Sequence, residues 1–472
     1  MKQESEFIGE VSENMAFLPK EDQQVALSEL YRFLFEGGPK SAFILKGYAG
    51  TGKTTLMGAL IRWLHSVNRK TVLLAPTGRS AKVLASHSGF PASTIHRRIY
   101  AMKENDFGRP SVQLVQNKSE KTIFIIDEAS MIGERNADEG FGSRSLLEDV
   151  VTYTYSGERC RLILIGDDAQ LPPVGMEVSP ALDKKRMASI MHGPVYETTL
   201  TEVVRQASSS LILRNATDIR NQIRAKEFDS ISLGVSKYEA CQDVDSYEME
   251  DLLSQFFYNE EAHQSVIICR SNKDANQFNL QVRARILMRE AELEAGDRLM
   301  IVRNNYHWKL PGSRQSFLAN GDMIGVERIH AIREFGPFKF AEVQVHFIED
   351  PTVSFELILL MNSLTYEGPS IPSQEMKHLR KAMIDSNEID ANDPEEKFFQ
   401  NPYFHAVQVK YAYAITCHKS QGGQWERVML YQGYFTDEMM DKSYFRWLYT
   451  AVTRASESLY LVGFHPSLLT QV

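Results

Sequence analysis

The run Gly47-Tyr48-Ala49-Gly50-Thr51-Gly52-Lys53-Thr54 decides how this chain is read. An apolar run at 42–45 precedes it, and 54–65 continues with the spacing of a helix, so the loop joins a buried strand to a helix N-terminus. Gly47, Gly50 and Gly52 let consecutive backbone N–H groups close around phosphate oxygens. Lys53 is then placed to reach the β- and γ-phosphates of ATP, Thr54 to hold Mg²⁺, and Thr51 and Thr55 to complete the cradle.

Two further strand ends complete a hydrolytic site. Residues 122–126 form an apolar strand that ends in Asp127-Glu128, a second metal-shell oxygen followed by a carboxylate able to orient water. Residues 162–165 run into Gly166-Asp167-Asp168-Ala169-Gln170-Leu171-Pro172-Pro173, where the prolines stop any helix and hold Gln170 on a fixed turn. An amide there can touch a γ-phosphate and report its loss.

Working outward, short apolar strands (42–45, 71–75, 122–126, 162–165) alternate with helical stretches (54–65, 144–155), the pattern of a parallel doubly wound sheet. Residues 20–35 carry an amphipathic stripe at Leu27, Leu30, Tyr31 and Leu34, and the acidic residues 1–14 read as a loosely ordered lead-in. A second alternating block begins near 200. It is interrupted at 296–364 by β-like runs with turn signals at Asn320-Gly321 and Gly336-Pro337, read as a small inserted barrel. The Pro-, Ser- and acid-rich stretch 366–402 reads as a polar connector, and its Glu395-x-Lys397 as loop chemistry and not half a nuclease motif.

Composition bounds the answer. A 472-residue chain with 43% hydrophobic and 24% charged residues has the balance of a globular protein of several domains, and no apolar run reaches the ~18 residues of a membrane span. Four widely spaced cysteines, without a CxxC pair, and an acidic N-terminus fit a reducing, cytoplasmic setting. The net charge of −9 argues against indiscriminate coating of duplex DNA, but not against a locally lined channel.

The remaining motifs narrow the class. Ala75-Pro76-Thr77-Gly78-Arg79-Ser80-Ala81-Lys82, Thr94-Ile95-His96-Arg97, Leu200-Thr201-Glu202-Val203-Val204-Arg205-Gln206, Tyr413-Ala414-Ile415-Thr416-Cys417-His418-Lys419-Ser420-Gln421-Gly422 and Tyr449-Thr450-Ala451-Val452-Thr453-Arg454-Ala455 follow one another in order. With the three motifs above, the chain resembles the superfamily 1 DNA helicases of the RecD/Dda-like branch over roughly 18–470.

That resemblance implies two RecA-like P-loop domains, with a β-hairpin inserted in the first and an SH3-like barrel in the second. The corresponding boundaries are 1–185 for the first domain (hairpin wedge at 99–121), 186–293 plus 403–472 for the second, 294–365 for the barrel and 366–402 for the connector. It implies that Gln23 reads adenine, with Gln24 beside it leaving the register open. Arg205 and Arg454 would reach across the cleft to the γ-phosphate. Thr77, Thr94, His96, Thr416, His418 and Lys419 would contact single-stranded DNA, and Phe107 at the hairpin tip would meet the single-strand/duplex junction. The expected activity is ATP-dependent 5′→3′ travel on single strands coupled to unwinding, by a chain active as a monomer with replication or recombination partners. The alternative is a DNA-stimulated ATPase that displaces proteins or serves a recombination nuclease. A nucleotide kinase or signalling NTPase would lack the paired arginines and the second α/β half. A binding module without activity would not retain Lys53, Asp127 and Glu128. The Gly- and charge-containing insertion 136–143 reads as a surface loop.

Overall fold

The computed structural model describes residues 3–15, 17–104, 110–134, 145–203, 210–245, 247–258, 260–308, 318–372 and 374–472. The insertion 136–143, Arg205 and Phe107 lie outside them.

Two parallel sheets form the frame. The first has six strands in the spatial order Ala92–Thr94, Thr71–Ala75, Ile123–Ile126, Arg161–Gly166, Ala42–Gly47 and Val195–Leu200. All five pairings are parallel, with Phe43 opposite Ile163 and Phe124 opposite Leu162 in register. The interior strands are apolar because helices cover both faces. Leu56, Leu60, Trp63 and Leu64 of helix Lys53–Ser66 pack on one side, and Leu147, Val150 and Tyr153 of helix Leu146–Ser156 on the other.

The second sheet orders five strands as Cys241–Val244, Ala455–Val462, Trp425–Tyr431, Ser265–Cys269 and Ala414–Thr416, again all parallel. Two α/β halves of RecA type therefore stand as expected, and a hairpin pairs Tyr100–Glu104 with Pro110–Leu114 in the first.

A closed barrel of Arg298–Ile301, Met323–Phe335, Phe338–Phe347, Asp350–Leu360 and Val407–Tyr411 interrupts the second half. Its last strand lies beyond the stretch 366–402. A strand that the sequence reading assigned to the resumed α/β block thus closes the barrel, pairing antiparallel with Leu299–Ile301 and parallel with Leu359 and Leu360. Inside 366–402 are the helices Leu379–Asp385 and Glu395–Gln400. Leu379, Met383 and Phe398 bury against Phe335 and Phe340 at the end of the long barrel hairpin. A polar composition concealed these few well-placed apolar side chains. Lys397 pairs with Asp393 at 2.9 Å, an i,i+4 contact on the surface.

The acidic N-terminal stretch is also structured, a correction to its reading as a loose lead-in. Glu4–Glu13 is a helix that buries Phe7 and Val11, one turn apart, and Phe7 meets Trp63 edge-on at 4.8 Å. Two apolar residues at i and i+4 suffice for a contact face that average composition does not reveal.

Candidate nucleotide cleft and strand-binding floor

The phosphate loop leaves the strand Ala42–Gly47 and enters the helix Lys53–Ser66 through Gly50 (φ 75°) and Gly52 (φ 79°), left-handed positions that side chains resist. Lys53 Nζ donates to the carbonyls of Gly47 (2.5 Å) and Tyr48 (2.9 Å). The loop lines a cavity of about 570 Å³ together with Thr54, Thr55, Asp127, Glu128, Gln170 and Arg454. The Gln170 Oε1 atom is buried without a hydrogen-bond partner in the protein, as suits an amide aimed at a ligand.

Three carboxylates crowd this cavity. Asp127, Glu128 and Asp167 all have raised pKa values, with burial the main cause, while Lys53 opposes the rise in each case. Asp127 Oδ1 accepts the Glu128 backbone N–H at 2.9 Å, and Glu128 sits at φ 52°, which swings its carboxyl off the strand end into the cleft. A buried set of acids larger than its cationic complement is a donor set suited to a divalent cation. Among the described residues, no cluster of three or more His, Cys, Asp or Glu could hold a metal by itself. Mg²⁺ fits such a site, because it commonly takes one or two protein oxygens, here Thr54 and Asp127, with phosphate and water supplying the rest.

Burial separates the two neighbouring glutamines. Gln23 is fully buried; its Oε1 accepts the Lys20 N–H (3.0 Å), and its Nε2 donates to the Thr51 carbonyl (3.1 Å). Gln24 is exposed and donates to Pro19. One residue earlier, Asp22 accepts the N–H groups of Thr201 (2.6 Å) and Glu202 (2.8 Å), anchoring the segment that leads toward Arg205.

The second domain closes the cavity. Arg454 is 4% exposed; its Nε donates to the Thr450 carbonyl (2.9 Å) and its Nη1 to the Gly423 carbonyl (3.0 Å). It stands near enough to hold down the Glu128 pKa against burial.

Sequence reasoning missed several other cross-domain contacts. The Tyr449 hydroxyl donates to Asp167 (2.7 Å) and accepts the Ala49 N–H of the phosphate loop (2.8 Å). Thr450 Oγ1 accepts from Leu171 N (2.8 Å), and Arg220 lies 4.8 Å over the Tyr48 ring. Tyr449 opens the motif Tyr449–Ala455. Its role had no local signal, because both partners lie in the other domain.

The residues expected to grip a strand gather at the C-terminal ends of strands in both sheets. Thr77 and Thr94 follow or end Thr71–Ala75 and Ala92–Thr94, and each hydroxyl caps the next helix by accepting from Ser80 N (3.2 Å) or Arg97 N (3.3 Å). Each hydroxyl oxygen thus orients the first turn of a helix whose leading N–H groups have no acceptor within that helix. His96 is half-buried, and burial pushes its pKa down to about 4, leaving a neutral imidazole.

Across the floor, Thr416 precedes the short helix Cys417–Ser420, His418 is exposed, and Lys419 Nζ donates to Asn320 of the barrel turn (2.7 Å). Gly422 (φ 72°) presses against Thr77 and Ser80; a Cβ there would lie 1.9 Å from Ser80 Oγ, so a larger residue would displace Ser80 and strain the left-handed backbone. The two halves of the floor and the barrel therefore meet at one place. Arg79 joins them from above, 3.9 Å over the Trp425 ring and paired with Glu349 of the barrel at 3.9 Å.

Comparison with known proteins finds matches in both halves of the chain. Residues 20–233 match the model of an AAA domain, and 411–462 that of a UvrD-like helicase C-terminal domain. The chain is 30% identical over 173 residues to the ATP-dependent RecD2 DNA helicase of Deinococcus radiodurans, covering 37% of this chain and 21% of that one. It is 27% identical over 271 residues to the ATP-dependent DNA helicase dda of Enterobacteria phage T4, covering 54% of each. The chain thus spans between a fifth and about half the length of these curated relatives. A solved Bacteroides Pif1 helicase in complex with ADP-AlF3 and ssDNA aligns over 96% of this chain and 94% of that one, at 16% identity and a TM-score of 0.49. Both matched segments carry the ordered motifs, and over them the chain is similar to DNA helicases of the RecD and Dda kind.

Proposed function

We propose that this protein is an ATP-dependent DNA helicase that travels 5′→3′ on single-stranded DNA and unwinds duplex ahead of it. The observation that carries the reading is Arg454. It comes from the second α/β domain, yet lines the same cavity as Lys53, Asp127 and Glu128 of the first. A nucleotide held there senses both domains at once.

Thr54 and Asp127 would hold Mg²⁺, which when bound neutralises phosphate charge. Lys53 exchanges its loop carbonyls for the β- and γ-phosphate oxygens. Glu128, whose carboxyl is raised by burial and by Asp127, accepts a proton from water that it orients. Arg454 and Arg205 stabilise charge on the transferred phosphoryl group, a contribution of ~10³–10⁵ in rate for arginine fingers. Hydrolysis is then slow until the domains close.

Closure and reopening shift the grip of Thr416, His418 and Lys419 relative to that of Thr77, Thr94 and His96, so the protein advances along one strand. Backbone N–H groups and hydroxyls hold phosphates without reading bases. The hairpin of Tyr100–Glu104 and Pro110–Leu114, with Phe107 in the sequence between its strands, would turn travel into strand separation.

The test is ATP turnover with and without single-stranded DNA, followed by unwinding of duplexes with 5′ or 3′ tails. Stimulated turnover with unwinding from the 5′ tail alone supports the proposal. Stimulation without strand separation leaves a translocase that displaces proteins, and no stimulation sinks the assignment.

A further inference from the structure

A second cavity, of about 550 Å³, opens on the first domain at the edge of the sheet opposite the nucleotide. The nucleotide loops leave the C-terminal ends of the strands. This cavity is lined by Arg69, Lys121 and Arg159, just before the strands Thr71–Ala75, Ile123–Ile126 and Arg161–Gly166, and by Arg161 itself. All four charged lining residues are cations, in a chain of net charge −9. Among the described residues, none of the four makes an ion pair within 4 Å.

Arg161 has a structural duty. It donates to the carbonyls of Phe33 (2.5 Å), Leu34 (2.9 Å) and Gly37 (2.6 Å), closing the helical turn above. Arg69 stands close enough to depress the Arg161 pKa further after burial has done so, with Tyr196 and Tyr155 acting the other way. Arg69, Lys121 and Arg159 are exposed. Lys121 (φ 50°) and Arg159 (φ 52°) hold left-handed backbone, uncommon for side-chain-bearing residues. Beneath the cations the wall is apolar, with Leu34, Phe35, Trp63 and Ile123.

We infer that this cavity is a docking site for a short acidic peptide segment of a partner protein, one that carries an aromatic or aliphatic side chain beside its carboxylates. Convergent cations satisfy the acids, and the apolar wall takes the side chain. Its volume is within the ~300–1,000 Å³ of ligand pockets. A DNA strand presents phosphates along a line and calls for cations strung along a groove, whereas these four converge on one cavity. The position leaves the nucleotide cleft and the strand-binding floor free, so the partner can remain bound while the motor runs.

The test measures binding of a fluorescein-labelled hexapeptide, four aspartates followed by Leu and Phe, to the full chain by anisotropy. The comparison is the double variant Arg69→Glu/Arg159→Glu. Both side chains are exposed, so folding should survive, and single-strand-stimulated ATP turnover should stay within about two-fold of the parent as a check. Two lost and reversed exposed ion pairs should weaken the peptide about ten-fold or more, and replacing its Leu and Phe by Ser should weaken it again. Equal affinity of parent and variant overturns the proposal. So does displacement of the peptide by inorganic phosphate at low millimolar concentration, which would mark a simple anion site. A loss of single-stranded DNA affinity in the variant as large as the loss of peptide affinity also overturns it, in favour of a nucleic-acid path.

Discussion

The Tyr449 hydroxyl, on a helix of the second domain, donates to the Asp167 carboxylate of the first at 2.7 Å while accepting the Ala49 N–H at 2.8 Å. One phenol thus ties together the phosphate loop, the strand end that leads to Gln170, and the helix that ends beside Arg454. Removing it by Tyr449→Phe leaves a buried carboxylate and a backbone N–H each one partner short. Leaving buried polar groups unpaired costs ~1–3 kcal/mol, so thermal unfolding of the variant should begin several degrees lower. ATP turnover at saturating single-stranded DNA should fall with it. An unchanged melting temperature would show that the tie is not made in solution.

Lys53→Ala is expected to abolish ATP turnover while single-strand binding, measured by anisotropy, stays close to that of the parent. Lys53 faces the nucleotide cavity, and the floor of Thr77, Thr94 and Thr416 lies on other strand ends. DNA-dependent turnover near the parent level would remove the cavity from consideration as the catalytic site.

Arg454→Ala should lower single-turnover hydrolysis by about 10³ or more, with a much smaller loss of ATP affinity, since a finger acts chiefly in the transition state. The same is expected of Arg205→Ala. Equal losses in affinity and rate would instead mean that Arg454 binds ground-state nucleotide or merely holds Thr450 and Gly423 in place.

Asp322 of the barrel turn predicts a pH dependence. Burial raises its carboxyl from the ordinary 3.8 to about 7, although it accepts the Ala319 N–H at 2.8 Å. Between pH 3.8 and about 7 the folded protein therefore keeps a proton that the unfolded chain has released. The stability it contributes is present below this window and lost as pH rises through it. Asp322→Asn, permanently neutral, should melt higher relative to the parent at pH 8 than at pH 5. The reverse order in calorimetry would show that Asp322 ionises normally in the fold.

Replacing residues 104–110 by a short Gly/Ser turn should leave DNA-stimulated ATP turnover intact while strand separation collapses. Stacking of an aromatic such as Phe107 on a base is worth ~1–3 kcal/mol, comparable to the ~1.4 kcal/mol of one duplex step. Unwinding at the parent rate would move the wedge to another element, with the barrel the next to test.

What the sequence determined by itself was local chemistry. The phosphate loop is legible because its function rests on consecutive backbone N–H groups, and glycine spacing between a strand and a helix specifies them within eight residues. Asp127-Glu128 and the loop to Gln170 are legible for the same reason, since each ends an apolar strand whose neighbours are helical. Alternation of such strands with helices was enough to give two parallel sheets.

Tertiary structure decided what depends on surfaces meeting. Gln23 and Gln24 are equivalent on paper, and only packing against Thr51 separates them. Tyr449 and Asp167 are 282 residues apart, so their hydrogen bond exists only once the two sheets face each other across the cleft. Val407–Tyr411 reads as any buried strand, and its place in the barrel follows from open edges at Arg298–Ile301 and Asp350–Leu360 that its backbone satisfies. The convergence of Arg69, Lys121, Arg159 and Arg161 on one cavity arises because parallel strands begin along a single edge. Hydrogen bonds and charges across such separations carry no periodic trace along the chain, because their partners are set by where the sheets and the barrel come to rest.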